Sequence, residues 1–276
     1  MSWEKVADEI SATPEKDDLI VVNDKIYGIG YAGLLVEWNG VDAWVSKAPV
    51  PLLGHSQRLE SLNDEIYVTD INFLYKWNGV DDWVQITSNF IGGSGWLVIH
   101  EDDGNIYSGY SDLYVSSGGT EEFSIVATSA DYGDTRMRSL CSYNNKIYSG
   151  TSTGHLLEYT PGINGWNLAA DIYVGNDIVV ALVINNNAIY GLYKSSGELL
   201  RWETGDTEWT QISNGNGASS VNDMIVIDDV FYCIGSNGSL FKLNESNEWE
   251  NVAITSELTA GITLVEYNNK IYGSGT

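Results

Sequence analysis

The chain of 276 residues carries 13 basic against 38 acidic residues, a formal charge of -25, which repels phosphate backbones and anionic lipid surfaces and removes nucleic acid from the expected partners. With 43% hydrophobic, 12% aromatic and only 18% charged residues, it can bury a large core, which excludes a disordered chain. The longest purely apolar run, 178–184, is far short of the roughly 20 residues a membrane span needs, and the start, Met1-Ser2-Trp3-Glu4-Lys5, has no apolar signal region, so export would require a leader not seen here.

Taken in chain order, one phrase keeps returning. It reads Asn23-Asp24-Lys25-Ile26-Tyr27-Gly28, Asn63-Asp64-Glu65-Ile66-Tyr67, Gly104-Asn105-Ile106-Tyr107, Asn144-Asn145-Lys146-Ile147-Tyr148-Ser149-Gly150, Asn187-Ala188-Ile189-Tyr190-Gly191, Asp229-Val230-Phe231-Tyr232 and Asn269-Lys270-Ile271-Tyr272-Gly273. The tyrosines step by 40, 40, 41, 42, 42 and 40 residues, a period that marks an array of identical supersecondary units. Because the repeat fills the chain, one domain over 1–276 is expected.

Each unit reads as four short strands, a to d, which in the first are 19–22, 25–30, 34–38 and 43–47. The a-b connections Asn23-Asp24, Asn63-Asp64, Asn144-Asn145, Asp228-Asp229 and Asn268-Asn269 are residue pairs that tolerate the positive φ of tight hairpins. Asn39-Gly40 and Asn78-Gly79 between c and d are strong two-residue hairpin signals. Strand d opens on an aromatic in every unit, Trp44, Trp83, Phe123, Trp166, Trp209 and Trp249, with Trp3 as a seventh. A ring recurring at one place in a repeated sheet is expected to pack between neighbouring sheets.

Four-stranded units of this length without helical periodicity describe an all-β β-propeller. Trp3 to Lys5 reads as a lone d strand and 262–273 as a and b, so seven blades are expected, the last shared between the termini and lacking strand c. Three explanations for the gap stand open: a chain that continues, which is favoured, a three-stranded blade, or a strand from a partner. The units resemble kelch-like propellers, in the stretch from Arg58 through Asp70 with Leu74-Tyr75-Lys76-Trp77 and Trp83, and in that from Arg138 through Gly150 with Glu158-Tyr159 and Trp166. The pattern Lys-Ile-Tyr-Gly, Leu-X-Glu-Trp-Asn-Gly, Asp-X-Trp is also similar to repeats of uncharacterised bacteriophage and bacterial surface proteins. That resemblance implies a place on a virion or cell surface and no particular chemistry.

In such blades the a-b and c-d turns share one face, and the b-c and d-a connections the other. The second face carries the segments that vary between units, at 49–57, 88–95, 128–136, 171–177 and 213–222, so a ligand is expected there. The candidate ligand-binding residues are Tyr31, His55, Arg58, Tyr110, Tyr132, Arg136, His155 and Tyr173.

Gly150-Thr151-Ser152-Thr153-Gly154 matches a nucleophile elbow in letters but joins two strands, whereas that motif needs a strand-turn-helix setting. The three histidines are scattered, and Asp102, Asp103, Asp131 and Asp134 lack calcium-loop spacing. Neither metal nor cofactor is therefore expected, and Cys141 and Cys233, in non-neighbouring units, read as buried thiols. The leading expectation is a non-enzymatic recognition module, part of a larger assembly, that binds a glycan or a protein. A structural spacer and a polysaccharide-acting enzyme are the alternatives, the latter requiring carboxylates that converge at the central mouth with a perturbed pKa.

Overall fold

The computed structural model describes residues 18–29, 34–48, 58–69, 73–87, 96–100, 104–117, 122–128, 136–171, 177–215, 220–253 and 261–275. Its elements are strands, grouped in antiparallel sheets whose order in space follows the order in sequence. Blade 1 holds β1 (Asp18–Val22), β2 (Lys25–Ile29), β3 (Leu35–Trp38) and β4 (Trp44–Ala48). Blade 2 holds β5 (Arg58–Leu62), β6 (Glu65–Thr69), β7 (Leu74–Trp77) and β8 (Trp83–Gln85), and blade 3 holds β9 (Trp96–His100), β10 (Asn105–Gly109), β11 (Leu113–Ser116) and β12 (Ser124–Ala127). Blade 4 has β13 (Met137–Tyr143), β14 (Lys146–Thr151), β15 (Leu156–Tyr159) and β16 (Asn167–Ala170), and blade 5 has β17 (Val179–Asn185), β18 (Ala188–Tyr193), β19 (Leu199–Trp202) and β20 (Thr210–Ser213). Blade 6 has β21 (Val221–Ile227), β22 (Val230–Gly235), β23 (Leu240–Leu243) and β24 (Trp249–Ala253), and a hairpin of β25 (Gly261–Tyr267) and β26 (Lys270–Gly275) follows.

The expectation of seven blades, the last shared between the termini and lacking strand c, is thereby corrected. The propeller has six four-stranded blades, and among the described residues the last unit is a two-stranded sheet. The sequence count reached seven by adding the last Ile-Tyr hairpin to a d strand at the other end of the chain, whereas the described part of that unit is the hairpin alone. The lone d strand placed at Trp3 to Lys5 lies outside the described residues. The hairpin nevertheless sits in the ring, since β25 packs on β21 at one side and on β1 at the other.

The a-b turns behave as their residues dictate. In the a-b turns of blades 1, 2, 4, 5 and 6 and of the last hairpin, both central residues take positive φ, from Asn23 at 50° and Asp24 at 56° to Asn268 at 52° and Asn269 at 58°, as a type I′ hairpin turn requires. The c-d connections differ from the two-residue hairpins expected. Trp38 pairs with Trp44 and Trp77 with Trp83, so five residues form each loop. In the first, the Asn39 Oδ1 accepts the backbone N–H groups of Val41, Asp42 and Ala43 at 2.8, 3.0 and 3.1 Å, and Asn78 and Asn244 wrap their loops in the same way. The asparagine works here as an acceptor that satisfies loop amides. Gly40 and Gly79, both at φ 82°, supply the left-handed step after it.

Buried side chains pool between neighbours. Tyr148, Cys141 and Leu156 of blade 4 share one cluster with Ile189, Leu200, Trp202 and Trp209 of blade 5, and a comparable cluster lies at every junction around the ring, including Leu264 against blade 6 and Val265, Tyr267 and Tyr272 against blade 1. The aromatics at the start of strand d are part of this packing, with Trp83, Phe123, Trp166 and Trp209 buried and Trp44 and Trp249 partly so. The Trp209 indole N–H donates across the junction to the Gly154 carbonyl at 3.1 Å, and that of Trp249 to Gly197 at 2.9 Å.

Candidate functional site

Ladder register places seven residues on one rung at the start of the seven inner strands: Asp18 opposite Ile29, Arg58 opposite Thr69, Trp96 opposite Gly109, Ser139 opposite Gly150, Ala181 opposite Leu192, Asp223 opposite Ile234 and Thr263 opposite Ser274. Each inner strand begins at this rung or two residues before it, arriving from the d-a connection. The rung therefore borders the b-c/d-a face. Going round the ring, Asp223, Thr263, Asp18 and Arg58 are consecutive, since β21, β25, β1 and β5 are neighbours in that order, and they make a polar arc.

The arc is hydrogen-bonded throughout. Asp223 accepts the Thr263 hydroxyl at 2.9 Å and the Leu264 N–H at 2.8 Å with Oδ2, and the Met224 N–H with Oδ1. Asp18 accepts the Leu59 N–H at 2.8 Å with Oδ2 and the Leu19 N–H with Oδ1, while the Arg58 guanidinium stands 3.6 Å from Oδ1. In both places a carboxylate on one inner strand takes a backbone amide of the next, which latches neighbouring blades. Ser139 does the converse, its hydroxyl donating to the Val179 carbonyl at 3.0 Å. Burial raises the pKa of Asp18 and Asp223, and the amide donors, Thr263 and Arg58 oppose it. Two residues along β5, Glu60 is pushed up to about 8, first by burial and then by the charge of Asp18, so at neutral pH it is chiefly a neutral acid.

A second grouping lies on the same face, on the turns of blades 3 and 4. The Arg136 guanidinium lies 5.5 Å from the Tyr110 ring centroid, in cation-π range. Arg136 and Ser152 are tied backbone to backbone and backbone to side chain, Ser152 N–H to Arg136 C=O at 2.8 Å and Arg136 N–H to Ser152 Oγ at 3.2 Å. On the same turn the Thr153 hydroxyl is 2.9 Å from His155 Nδ1, and His155 Nε2 is 3.4 Å from Asp171 Oδ1. Thr151 Oγ1 receives the His155 N–H at 3.0 Å and so fixes the turn. Hydroxyl, imidazole and carboxylate stand in line, the carboxylate well exposed.

Of the eight residues singled out from sequence, Tyr31, His55, Tyr132 and Tyr173 lie outside the described residues. Tyr110 and Arg136 meet, and His155 is on the turn bonded to Arg136. Arg58 belongs instead to the axial arc, ion-paired with Asp18 on a strand. Ser152 sits, as expected, in a turn between two strands, and its hydroxyl serves the Arg136 amide. Sequence reading passed over Asp18, Glu60, Asp223, Thr263 and Asp171. A signal was available in the repeats themselves, because Asp18 and Asp223 are charges on a rung where Ala181 shows that an apolar residue is accepted.

No protein-family model and no curated protein matches the chain. Among solved structures, it is similar to the computationally designed Ika8 protein, with a TM-score of 0.67 at 12% identity over 99% of this chain and 84% of that one. It is also similar to YCF48 from Cyanidioschyzon merolae, with a TM-score of 0.68 at 13% identity over 93% of this chain and 92% of that one. The likeness is one of fold alone. Nothing in it separates kelch-like propellers from others, and a propeller scaffold hosts many functions.

Proposed function

We propose that the protein is a non-enzymatic recognition module that holds a glycan or a protein ligand on its b-c/d-a face, around Tyr110, Arg136 and His155 with Thr153 and Asp171. The observation that carries this reading is the contact of Arg136 with Tyr110, the guanidinium 5.5 Å from the tyrosine ring, beside a turn bonded to the Arg136 backbone on which the His155 imidazole is held between a hydroxyl and a carboxylate. Planar and polar groups pinned by backbone bonds offer stacking and hydrogen bonds at low entropic cost. A single shallow site of this kind is weak, and repetition on an assembly would multiply it. The similarity of the repeat to bacteriophage and bacterial surface proteins supports a virion or cell surface as the setting.

A glycan array combined with a pull-down from envelope extracts tests the proposal. Binding that falls at least about tenfold in Arg136→Ala and in His155→Ala, roughly 1.4 kcal/mol, supports it. Clean failure of the unmodified protein in both assays leaves the spacer reading in its place.

The enzyme reading retains one specific support, the neutral-leaning Glu60 on β5, raised by burial and by the charge of Asp18. A general acid for glycoside cleavage needs a raised carboxyl of that kind. Against it, both oxygens of Asp18 and both of Asp223 are engaged by backbone amides. Polysaccharide turnover lost in Glu60→Gln and retained in Arg136→Ala would favour the enzyme.

A further inference from the structure

We infer that the ligand of the b-c/d-a face is a carboxylate-bearing sugar, and that protonation of His155 tightens its binding by turning the Thr153 hydroxyl from a hydrogen-bond acceptor into a donor; the inference rests on the reading of that face as the ligand site. The hydrogens of the His155 ring are assigned by its two neighbours. The Asp171 carboxylate, with Oδ1 at 3.4 Å from Nε2, can only accept, so in the neutral ring Nε2 carries the hydrogen. Nδ1 is then an acceptor, and the Thr153 hydroxyl 2.9 Å away donates to it.

A second proton on the ring reverses that bond. Nδ1 becomes a donor, Thr153 Oγ1 accepts from it, and the hydroxyl hydrogen has to turn elsewhere. The neighbouring oxygen on the turn, Thr151 Oγ1 at 3.2 Å, already accepts the His155 N–H at 3.0 Å and the Thr153 N–H at 3.4 Å, which fills both lone pairs of a hydroxyl. The hydrogen is left to a ligand on the turn. At the same step the contact with Asp171 becomes an ion pair. It ties the ring to the end of β16, which is bridged to blade 5 between Asp171 and Glu208, with the Asp171 N–H on the Thr207 carbonyl at 3.1 Å. The charged groups packed about the ring are therefore Asp171, Glu208 bridged to it, and Arg136 immediately before β13, whose backbone is bonded to Ser152 of the same turn.

What then faces the ligand is a set of donors. The Arg136 guanidinium lies against the Tyr110 ring, and a ring attracts a cation without occupying its fork of N–H groups, the complement of a carboxylate. Imidazolium, hydroxyl and guanidinium on adjoining turns suit an acidic sugar better than a peptide, which needs apolar anchors. The formal charge of -25 does not forbid such a ligand, because exposed charges more than about 8 Å away are largely screened at physiological salt.

The test uses the full chain with a uronate-terminated trisaccharide and its methyl ester, titrated by calorimetry at about pH 8 and pH 5, between which an ordinary imidazole gains its charge. The uronate should bind about fivefold tighter at the lower pH, the worth of one solvent-exposed ion pair, and the ester should show no such gain. His155→Gln should remove the gain whatever affinity remains, and Thr153→Val, which keeps the shape of the side chain, should lose most of it. Glu60 also changes charge in this range, at about 8, but it stands on β5, and a gain that came from it would survive in His155→Gln. Survival there, an ester that gains as the acid does, or a full gain in Thr153→Val would each overturn the inference alone. Failure of both sugars to bind at either pH also overturns it, and reaches the reading beneath it only if the glycan array and the pull-down fail as well.

Discussion

At the scale of the residue, the axial carboxyl groups make stability respond to pH in a defined sense. Glu60 has its pKa raised from 4.5 to about 8, so the folded protein holds a proton that the unfolded chain releases. Its favourable contribution is complete below the unfolded value and is lost as pH climbs through the folded one. Asp18 and Asp223 shift in the same direction. Glu60→Gln, which keeps the shape of the protonated acid, should therefore melt with the unmodified protein near pH 5 and above it at pH 9, by about 1–2 kcal/mol once solvent access is allowed for. Melting curves at the two pH values check this, and a gap that is the same at both would refute the assignment. Neither aspartate is legible as such a group from its immediate neighbours in sequence, because what buries it is the adjoining blade about 40 residues away. Asn39 shows a related limit. Its dipeptide with Gly40 signals a turn correctly, yet the turn's length follows from three amides competing for one side-chain oxygen.

At the scale of the element, the Ile-Tyr hairpin is legible because its signals are local: two residues that accept positive φ, then a short run of apolar and small residues that is buried almost throughout, as in β2, β6, β10 and β14. The aromatic that opens strand d is legible in kind but not in partner. Trp209 is 2% exposed, with its ring among blade 5 and blade 4 residues and its N–H on the Gly154 carbonyl. Two separable contributions follow. Trp209→Phe should cost mainly the hydrogen bond, about 1–2 kcal/mol including the carbonyl left without its donor, while Trp209→Ala should cost about 3–5 kcal/mol through the cavity. Urea denaturation of the pair measures the difference, and equal losses would mean that the indole N–H contributes nothing across the junction. The same bond also holds the turn carrying Thr153 and His155, since Gly154 lies between them, so ligand binding at that turn should weaken in Trp209→Phe even where the fold survives.

At the scale of the whole molecule, a propeller closes only if its last unit grips its first, and here the grip is made by the smallest sheet. The hairpin holds blade 6 through Asp223, which accepts from Thr263 and Leu264, and holds blade 1 through Tyr267, whose hydroxyl donates to the Asp24 carbonyl at 2.7 Å above a cluster of Leu19, Ile26, Trp38 and Val265. Two strands bury less than four, so this is where a chain of nearest-neighbour contacts should open first. The sequence foretold a ring with an incomplete last unit but not how that joint is bonded, because the period records how often the unit recurs and not which side chains latch one unit to the next. Asp223→Ala sharpens the point. It strips the Leu264 amide of its buried acceptor, a loss of about 1–3 kcal/mol, at the junction with the least to spare. Hydrogen exchange should then speed along β25 and β26 by about 5- to 150-fold while β9 and β13, in four-stranded blades on the far side of the ring, keep their protection. If protection instead falls equally in all blades, the ring unfolds as one cooperative body, and the hairpin is as firm a joint as any other.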